Sequence, residues 1–259
     1  MKKGTKVCLI LSVVLAVAGI AMIIAGAVIG INPGNILKRV HVKTHFSNIE
    51  GKVENEPFTP ADGNDFVIKA AGANVEIRKT SDDTFSIEDS KNVNVWDYSD
   101  KEIRLISDQT NAMFTGDNTI VVYVPEDYEF GEVTIECGGS NVEAEKLNAK
   151  NVNIDCGAGN VEIRDMDTNN VDVECGAGNT YLKGSISGNA SVECGVGNVD
   201  ISVDQEEKYY NYSLECALGI LSLNNNEYSG FASERIIDNG AHNIMDIECA
   251  MGNVSIVTN

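Results

Sequence analysis

Histidine, proline and basic side chains are scarce in this chain. It has 3 histidines and 4 prolines in 259 residues, and 19 Lys and Arg stand against 39 Asp and Glu, for a net charge of -20. Because phosphate binding needs a basic surface, this charge argues against a nucleic acid partner. His41, His45 and His242 are isolated, and no G-x-S-x-G or H-E-x-x-H motif occurs. We therefore predict a protein that is not an enzyme and has no cofactor.

One long uncharged run lies near the N-terminus, from Val7 to Ile31, directly after a segment with three lysines. At about 1.5 Å per residue it is long enough to cross a bilayer, and the basic flank predicts a cytoplasmic N-terminus. A cleaved signal peptide is the alternative, because Ala25-Gly26-Ala27 is typical of a cleavage site, although the apolar core of such a peptide is usually about 7–15 residues. The predicted segments are a cytoplasmic tip (1–6), a transmembrane anchor (7–31), a linker (32–44) and an extracytoplasmic domain (45–259).

A repeat of 19 residues dominates the second half of the chain. Cysteine marks it at steps of 19, 19, 19, 22 and 33 residues, at Cys137, Cys156, Cys175, Cys194, Cys216 and Cys249. Apolar residues stand two positions before and, apart from Thr180, five and seven positions after each cysteine, so each unit holds two short strands separated by a glycine-rich corner. One unit cannot bury its apolar face alone, but stacked units can. The repeat predicts an all-β, right-handed parallel β-solenoid with one rung per repeat.

The same register occurs earlier, where Ala70 takes the cysteine position. We therefore expect the solenoid to begin near His45, with irregular rungs and longer loops over about 79–130. The extra residues of the two longer steps fall near 205–212 and 228–242.

The repeated cysteines and asparagines are predicted to be structural ladders. Each Cys is in phase with inward Val and Ile and should be a small buried residue. Stacked neighbours lie farther apart than the Cβ separation of about 3.8 Å that a disulfide prefers, so we expect free thiols. Asparagine recurs at one corner, where stacked amides can hydrogen-bond along the axis: Asn74, Asn141, Asn160, Asn179, Asn198 and Asn253.

An acidic residue precedes every repeated cysteine: Glu136, Asp155, Glu174, Glu193, Glu215 and Glu248. By alternation these side chains point outward and stack in a row, with breaks expected at the long insertions. The row is either a solvated acidic surface or a weak site for divalent or polycationic ligands. Three of the basic residues precede the apolar run, so residues 32–259 have 16 basic and 39 acidic residues, a net charge of -23, which favours cationic partners.

One insertion, residues 204–212, brings three tyrosines close to acidic residues: Tyr209, Tyr210 and Tyr212. It is a candidate ligand loop. The alternative is a surface loop whose aromatic side chains cover the solenoid.

Three segments together resemble a bacterial domain-of-unknown-function family of proposed adhesins, which includes LiaG-like envelope proteins. They are Asn74–Asp83, Ile120–Pro125 with the glycine-rich units that follow it, and Cys249–Ile256. The resemblance covers roughly residues 45–259 and supplies no catalytic residues. It implies a membrane-anchored β-solenoid of the bacterial cell envelope, often encoded beside envelope-stress regulators. The cysteine position departs from the Thr, Ser or Ala that is commoner there.

Three functions follow as hypotheses. The first is a non-enzymatic, single-pass membrane protein that binds a cell-wall, cationic or protein ligand at the envelope. The second is a self-assembling scaffold of bactofilin type. It assumes that the last strand, Val254–Val257, leaves an exposed rung that pairs end to end with another molecule. The third is a carbohydrate-active β-helix enzyme, for which the repeats provide carboxylates but no distinct cleft.

Overall fold

A computed structural model describes residues 49–88, 93–108 and 119–259, with the backbone alone for residues 229–233. The chain divides into two units between Thr44 and His45. The predicted tip, anchor and linker lie outside the described residues, as do Cys8, His41 and His45. Within the described ranges, no helix combines the length and apolarity that a bilayer span requires.

Thirteen strands and one 3-10 turn (Glu207–Tyr209) make up the described fold. The strands are β1 Asp65–Ala71, β2 Asn74–Thr80, β3 Ser86–Glu88, β4 Val95–Tyr98, β5 Glu102–Asp108, β6 Thr119–Pro125, β7 Glu129–Cys137, β8 Val142–Ala144, β9 Leu147–Ile186, β10 Ala190–Val203, β11 Tyr210–Leu223, β12 Asn226–Ile237 and β13 Asn243–Thr258. The all-β prediction is confirmed. The right-handed winding of the solenoid stays a prediction.

Most neighbouring strands are parallel and in register. Cys137 lies opposite Cys156, and Cys175 lies opposite Cys194. Ala70 lies opposite Cys137, so it does occupy the cysteine position of an earlier rung. Because strands alternate their side chains between the two sides, the same register places the apolar residues of every rung inside.

The C-terminal rungs are not stacked in chain order. Strand β13 lies between β10 and β11, with Cys249 opposite both Cys194 and Cys216. The outer side of β11 is covered by β12, which runs antiparallel to it. The prediction that Val254–Val257 forms an exposed last rung is therefore wrong. The insertion near 228–242 is the reason, because it supplies an end strand that the cysteine repeat does not mark.

The N-terminal end follows the same plan. The first rung, β1 and β2, lies between the later rungs β7–β8 and β5–β6. Strands β3 and β4 add antiparallel to β6 and β5. Within 79–130, where irregular rungs were predicted, the described residues (79–88, 93–108 and 119–130) form an outer rung with two short antiparallel additions. Isolated bridges of Val53 to Trp96 and Phe58 to Phe85 bring the preceding segment onto this end.

The core changes in character along the axis. In the middle rungs it consists of small and branched side chains such as Val173, Cys175 and Leu182, all buried. At the N-terminal end it is aromatic, and Phe66 stacks on Phe130 at a centroid distance of 5.2 Å. Burying one large apolar side chain contributes about 1.5–3 kcal/mol, so a continuous column of them supplies the main stabilising term.

Backbone crowding requires glycine at the corner of each regular rung. Gly197 has a φ of 150°, and a Cβ built on it would lie 1.6 Å from the carbonyl oxygen of Gly178. A Cβ on Gly138, by contrast, would come no closer than 3.8 Å to any neighbour. The two positions therefore differ in their tolerance of a side chain.

We expect Gly197→Ala to lower the free energy of unfolding by about 3 kcal/mol or more, because it adds both a clash and a strained φ. Gly138→Ala should change it by less than about 1 kcal/mol, the scale of an unstrained Gly-to-Ala exchange. Urea denaturation followed by circular dichroism measures both. Equal stability of the two variants would contradict the assigned crowding.

Candidate functional site

The acidic residues that precede the cysteines form a continuous row on one outward surface, which we call the acidic face. Register pairs place Glu136 opposite Asp155 and Glu174 opposite Glu193. The row continues through Glu248 to Glu215. The breaks expected at the long insertions are absent there, because β13 fills the position between β10 and β11.

One member of this row was missed by the sequence analysis. Glu234 on β12 lies opposite Glu215 and extends the row to the end strand. No signal in the repeat could have revealed it, since β12 is antiparallel and has no cysteine. Only the pairing of β11 with β12 brings this carboxylate into the row.

Like charge accumulates towards the C-terminal end of the acidic face. Neighbouring strands are about 4.8 Å apart, and two unit charges at that distance repel by about 1 kcal/mol even in water. Partial burial, followed by the charges of Glu215, Glu193 and Asp246, raises the pKa of Glu248 above its usual value. The ionised form of Glu248 is thus disfavoured in the folded protein.

A second outward surface, formed by the strand segments that follow the corner of each rung, is electrostatically different. Arg164 donates from Nη2 to Glu143 Oε2 at 3.1 Å and from Nε to Glu162 Oε1 at 2.8 Å. On the acidic face, an ion pair lies at the N-terminal end, where Lys69 Nζ is 2.7 Å from Glu136 Oε1. Exposed pairs of this kind contribute only about 0–1 kcal/mol to stability, so their importance lies in charge neutralisation.

The carboxylates of the acidic face are spaced along a line and do not cluster. Among the residues that the structure describes, no three His, Cys, Asp or Glu side chains form a group able to hold one. In-register strands keep neighbouring side chains one strand separation apart and parallel. The row is therefore a linear array of carboxylates.

The asparagine ladder is engaged in hydrogen bonds within the fold. Four amide nitrogens each donate to the side-chain oxygen of the asparagine in the neighbouring rung, at 2.9–3.1 Å: Asn160 to Asn141, Asn179 to Asn160, Asn198 to Asn179 and Asn253 to Asn198. Asn74 belongs to the same ladder, because its side-chain oxygen accepts from the backbone nitrogen of Asn141 at 3.0 Å. These contacts hold the corners of successive rungs together.

The repeated cysteines are buried and unpaired in the described fold. The chain brings all six into one inward column, which is continuous from β7 to β11. Contacts with Cys137 and Cys175, together with burial, raise the pKa of the Cys156 thiol. A protonated, buried thiol is a poor nucleophile, so Cys156 is suited to packing.

The prediction of a tyrosine ligand loop is wrong for Tyr210 and Tyr212, which are buried in the core. Their hydroxyls donate to the carbonyls of Ile186 and Glu207, and burial raises the pKa of both. Tyr209 is 39% exposed and donates to the carbonyl of Ser187 at 2.9 Å. Hence this insertion covers the solenoid with aromatic side chains, as the alternative interpretation expected.

Comparison with known proteins identifies a domain family and two solved structures. The family model described as Toastrack DUF4097 matches residues 63–258. A proposed cell adhesion protein from Clostridium sporogenes is 13% identical over 79% of this chain and 97% of its own, with a TM-score of 0.44. A proposed adhesin from Bacteroides fragilis is 12% identical over 78% of this chain and 95% of its own, with a TM-score of 0.35. The comparison with curated proteins finds no significant match.

Removing one charge from the crowded part of the acidic face should stabilise the fold. A raised carboxyl pKa in the folded state means that stability falls as the pH rises through the carboxyl range. We therefore expect Glu248→Gln to raise the free energy of unfolding at pH 7 by about 0.2–1 kcal/mol for each like-charged neighbour relieved. The gain should vanish at acidic pH, where Glu248 is protonated.

Glu162→Gln is the matched control, because it removes a carboxylate that contacts Arg164. It should give no gain at either pH. Urea denaturation at pH 7 and at acidic pH measures the free energy of unfolding of both variants. A gain from Glu248→Gln that persists unchanged in acid would contradict the electrostatic explanation.

Proposed function

The chain belongs to the Toastrack DUF4097 family, and we propose that it is a non-catalytic binding protein of the bacterial cell envelope, which presents the acidic face of a β-solenoid to a cationic partner. The observation that carries this proposal is the contrast between the two outward surfaces. One surface has two arginines paired with its carboxylates, Arg78 with Glu76 and Arg164 with Glu143 and Glu162. The other has a row of carboxylates with like-charged neighbours.

Partner chemistry follows from the shape and charge of this row. Carboxylates that repeat at one strand separation match a flexible polymer with many positive charges, such as a basic peptide segment or an amine-bearing envelope polymer. A net charge of -23 over residues 32–259 would draw such a partner towards the protein over about a Debye length of 8–10 Å.

Attachment to the membrane is part of the same proposal. The run Val7–Ile31 supplies the anchor, and the preceding lysines keep the N-terminus in the cytoplasm. This arrangement would place the solenoid outside the cell membrane, with the acidic face free to meet envelope ligands.

The described residues give less support to the two other hypotheses, a scaffold and a carbohydrate-active enzyme. An end-to-end scaffold was inferred from an exposed strand at Val254–Val257, but β13 is enclosed by two neighbours. A carbohydrate-active enzyme needs two carboxyl groups facing each other across a substrate. The acidic face instead aligns its carboxylates side by side along one surface.

The test is co-sedimentation of the full chain, in mild detergent, with bacterial cell walls and with polylysine-coated beads at low and moderate salt. We expect binding at low salt. The triple variant Glu174→Gln, Glu193→Gln and Glu248→Gln should weaken it about tenfold, the effect of 1.4 kcal/mol. Glu143→Gln, Glu162→Gln and Asp200→Asn remove the same charge from the second outward surface and should leave binding unchanged.

Two results would contradict the proposal. If the protein bound neither cell walls nor polylysine-coated beads at low salt, a cationic or cell-wall ligand would be excluded. Equal weakening by the two triple variants would show that total charge, and not the acidic face, governs the interaction.

A further inference from the structure

The last strand of the chain is held in the interior of the sheet. Strand β13 pairs in parallel with β10 on one side and with β11 on the other, through almost its whole length. Both neighbours precede it in the sequence. The chain must therefore leave β10, form β11 and β12, and then return to fill the position between β10 and β11.

The position that β13 fills is defined by side-chain pattern, not by its covalent connection. Its inward residues are Met245, Ile247, Cys249, Val254 and Ile256, all buried. Each faces an inward residue of the same phase on both neighbours, as Ile247 faces Val192 and Leu214. Any strand with this alternation of inward residues and a glycine at the corner would fit between β10 and β11. The strand that meets these requirements best is the β13 of another copy.

An asparagine clamp holds the C-terminal end of β13. The side-chain oxygen of Asn224, at the turn after β11, accepts from the backbone nitrogen of Thr258 at 2.8 Å, and its amide donates to Thr258 Oγ1 at 3.0 Å. Asn224 has a φ of 52°, a conformation that asparagine tolerates better than most residues. This clamp joins β13 to β11 and would form equally well with a β13 from another molecule.

A second clamp holds the start of β13 in a different way. The side-chain oxygen of Asn211 accepts from the backbone nitrogens of Asn239 and Ala241 at 2.8 and 3.1 Å, and its amide donates to the carbonyl of Ala241 at 2.9 Å. These contacts fix the crossover, residues 238–242, which joins β12 to β13. They are complete only when β12 and β13 of one copy flank the same β11.

The crossover between β12 and β13 is five residues long. It passes from β12 to β13 across β11, about two strand separations or 10 Å, with an offset of two residues or about 7 Å along the strands, so about 12 Å in all. Six Cα–Cα steps from Ile237 to Asn243 can span about 20 Å, whereas three steps can span at most about 11 Å. Shortening the crossover by three residues would prevent closure within one molecule.

We propose that β13 is an exchangeable strand, and that the position between β10 and β11 is a binding site for the β13 of a second copy, so that two copies form a dimer by reciprocal donation of this strand. The dimer keeps every contact of β13 and changes only the crossover. Exchange of an identical element is therefore a low-cost route to association. This inference rests on strand order and is independent of the ligand of the acidic face.

The first experiment shortens and lengthens the crossover in the full chain. Deletion of Asn239–Ala241 should convert the protein from monomer to dimer in light scattering coupled to gel filtration. Insertion of Gly-Ser-Gly after Gly240 disturbs the same loop but leaves closure possible, so it should stay monomeric. A deletion variant that is folded and monomeric would overturn the proposal.

The second experiment identifies the exchanged strand. One copy carries Glu193→Cys and the other Glu248→Cys, two positions that lie opposite each other on β10 and β13. After co-refolding from urea, a short bis-thiosulfonate reagent should link the two copies. Glu174→Cys with Glu193→Cys is the matched control, because these positions are also opposite each other but neither is on β13. It should link no copies.

The crosslink tests the proposal even if the deletion variant does not fold, because the crosslinked chains have the native crossover. With that crossover, Asn211→Ala should raise the dimer share after co-refolding, since it releases the clamp specific to the monomer. Asn224→Ala weakens β13 in both forms and should leave that share unchanged. Absence of the Glu193–Glu248 link between copies, with and without Asn211→Ala, would overturn the proposal.

Discussion

In-register parallel pairing is the constraint on which the rest of this structure depends. Each rung places the same position of the repeat above the same position of the next. Residues of the same type therefore stack at a separation of about 4.8 Å. The consequence differs with the chemistry of the residue. Stacked cysteines such as Cys175 and Cys194 pack as small apolar groups, stacked asparagines hydrogen-bond, and stacked carboxylates repel. One geometric rule thus produces the core, the corner and the acidic face.

The two ends of the solenoid cover their strand edges in a similar way. The first rung of the described chain, β1 and β2, and the last, β13, are each second from an end. The outermost positions belong to rungs that carry antiparallel additions, β4 on β5 and β12 on β11. This order encloses the chain's final strand between two neighbours, and it places strands outside the regular repeat at both edges. Edges of this kind are poor templates for further stacking.

The proposed function rests on the surface, since the interior has the features of a packing core. The repeated thiols and two of the three tyrosines of the insertion are buried. What distinguishes one outward surface from the other is the presence of arginine beside the carboxylates. Arg164 forms ion pairs with Glu143 and Glu162 on one side, whereas Glu248 lies between Glu193 and Glu215 on the other. This difference in local charge, on surfaces with the same backbone, is the observation on which the proposed binding role of the acidic face rests.

Periodicity by itself determined the class of fold, the 19-residue rung, the inward position of the cysteines and the outward position of the acidic residues. These are local properties, because alternation along a strand and glycine at a corner are set by residues close together in the sequence. Only the tertiary structure decided the order of the rungs, the burial of Tyr210 and Tyr212, and the addition of Glu234 to the acidic face. The physical reason is that all rungs offer nearly the same register to a neighbour. The repeat therefore cannot specify which rung lies beside which. That choice is made by segments outside the repeat, above all β12 and the crossover that returns the chain to the position between β10 and β11.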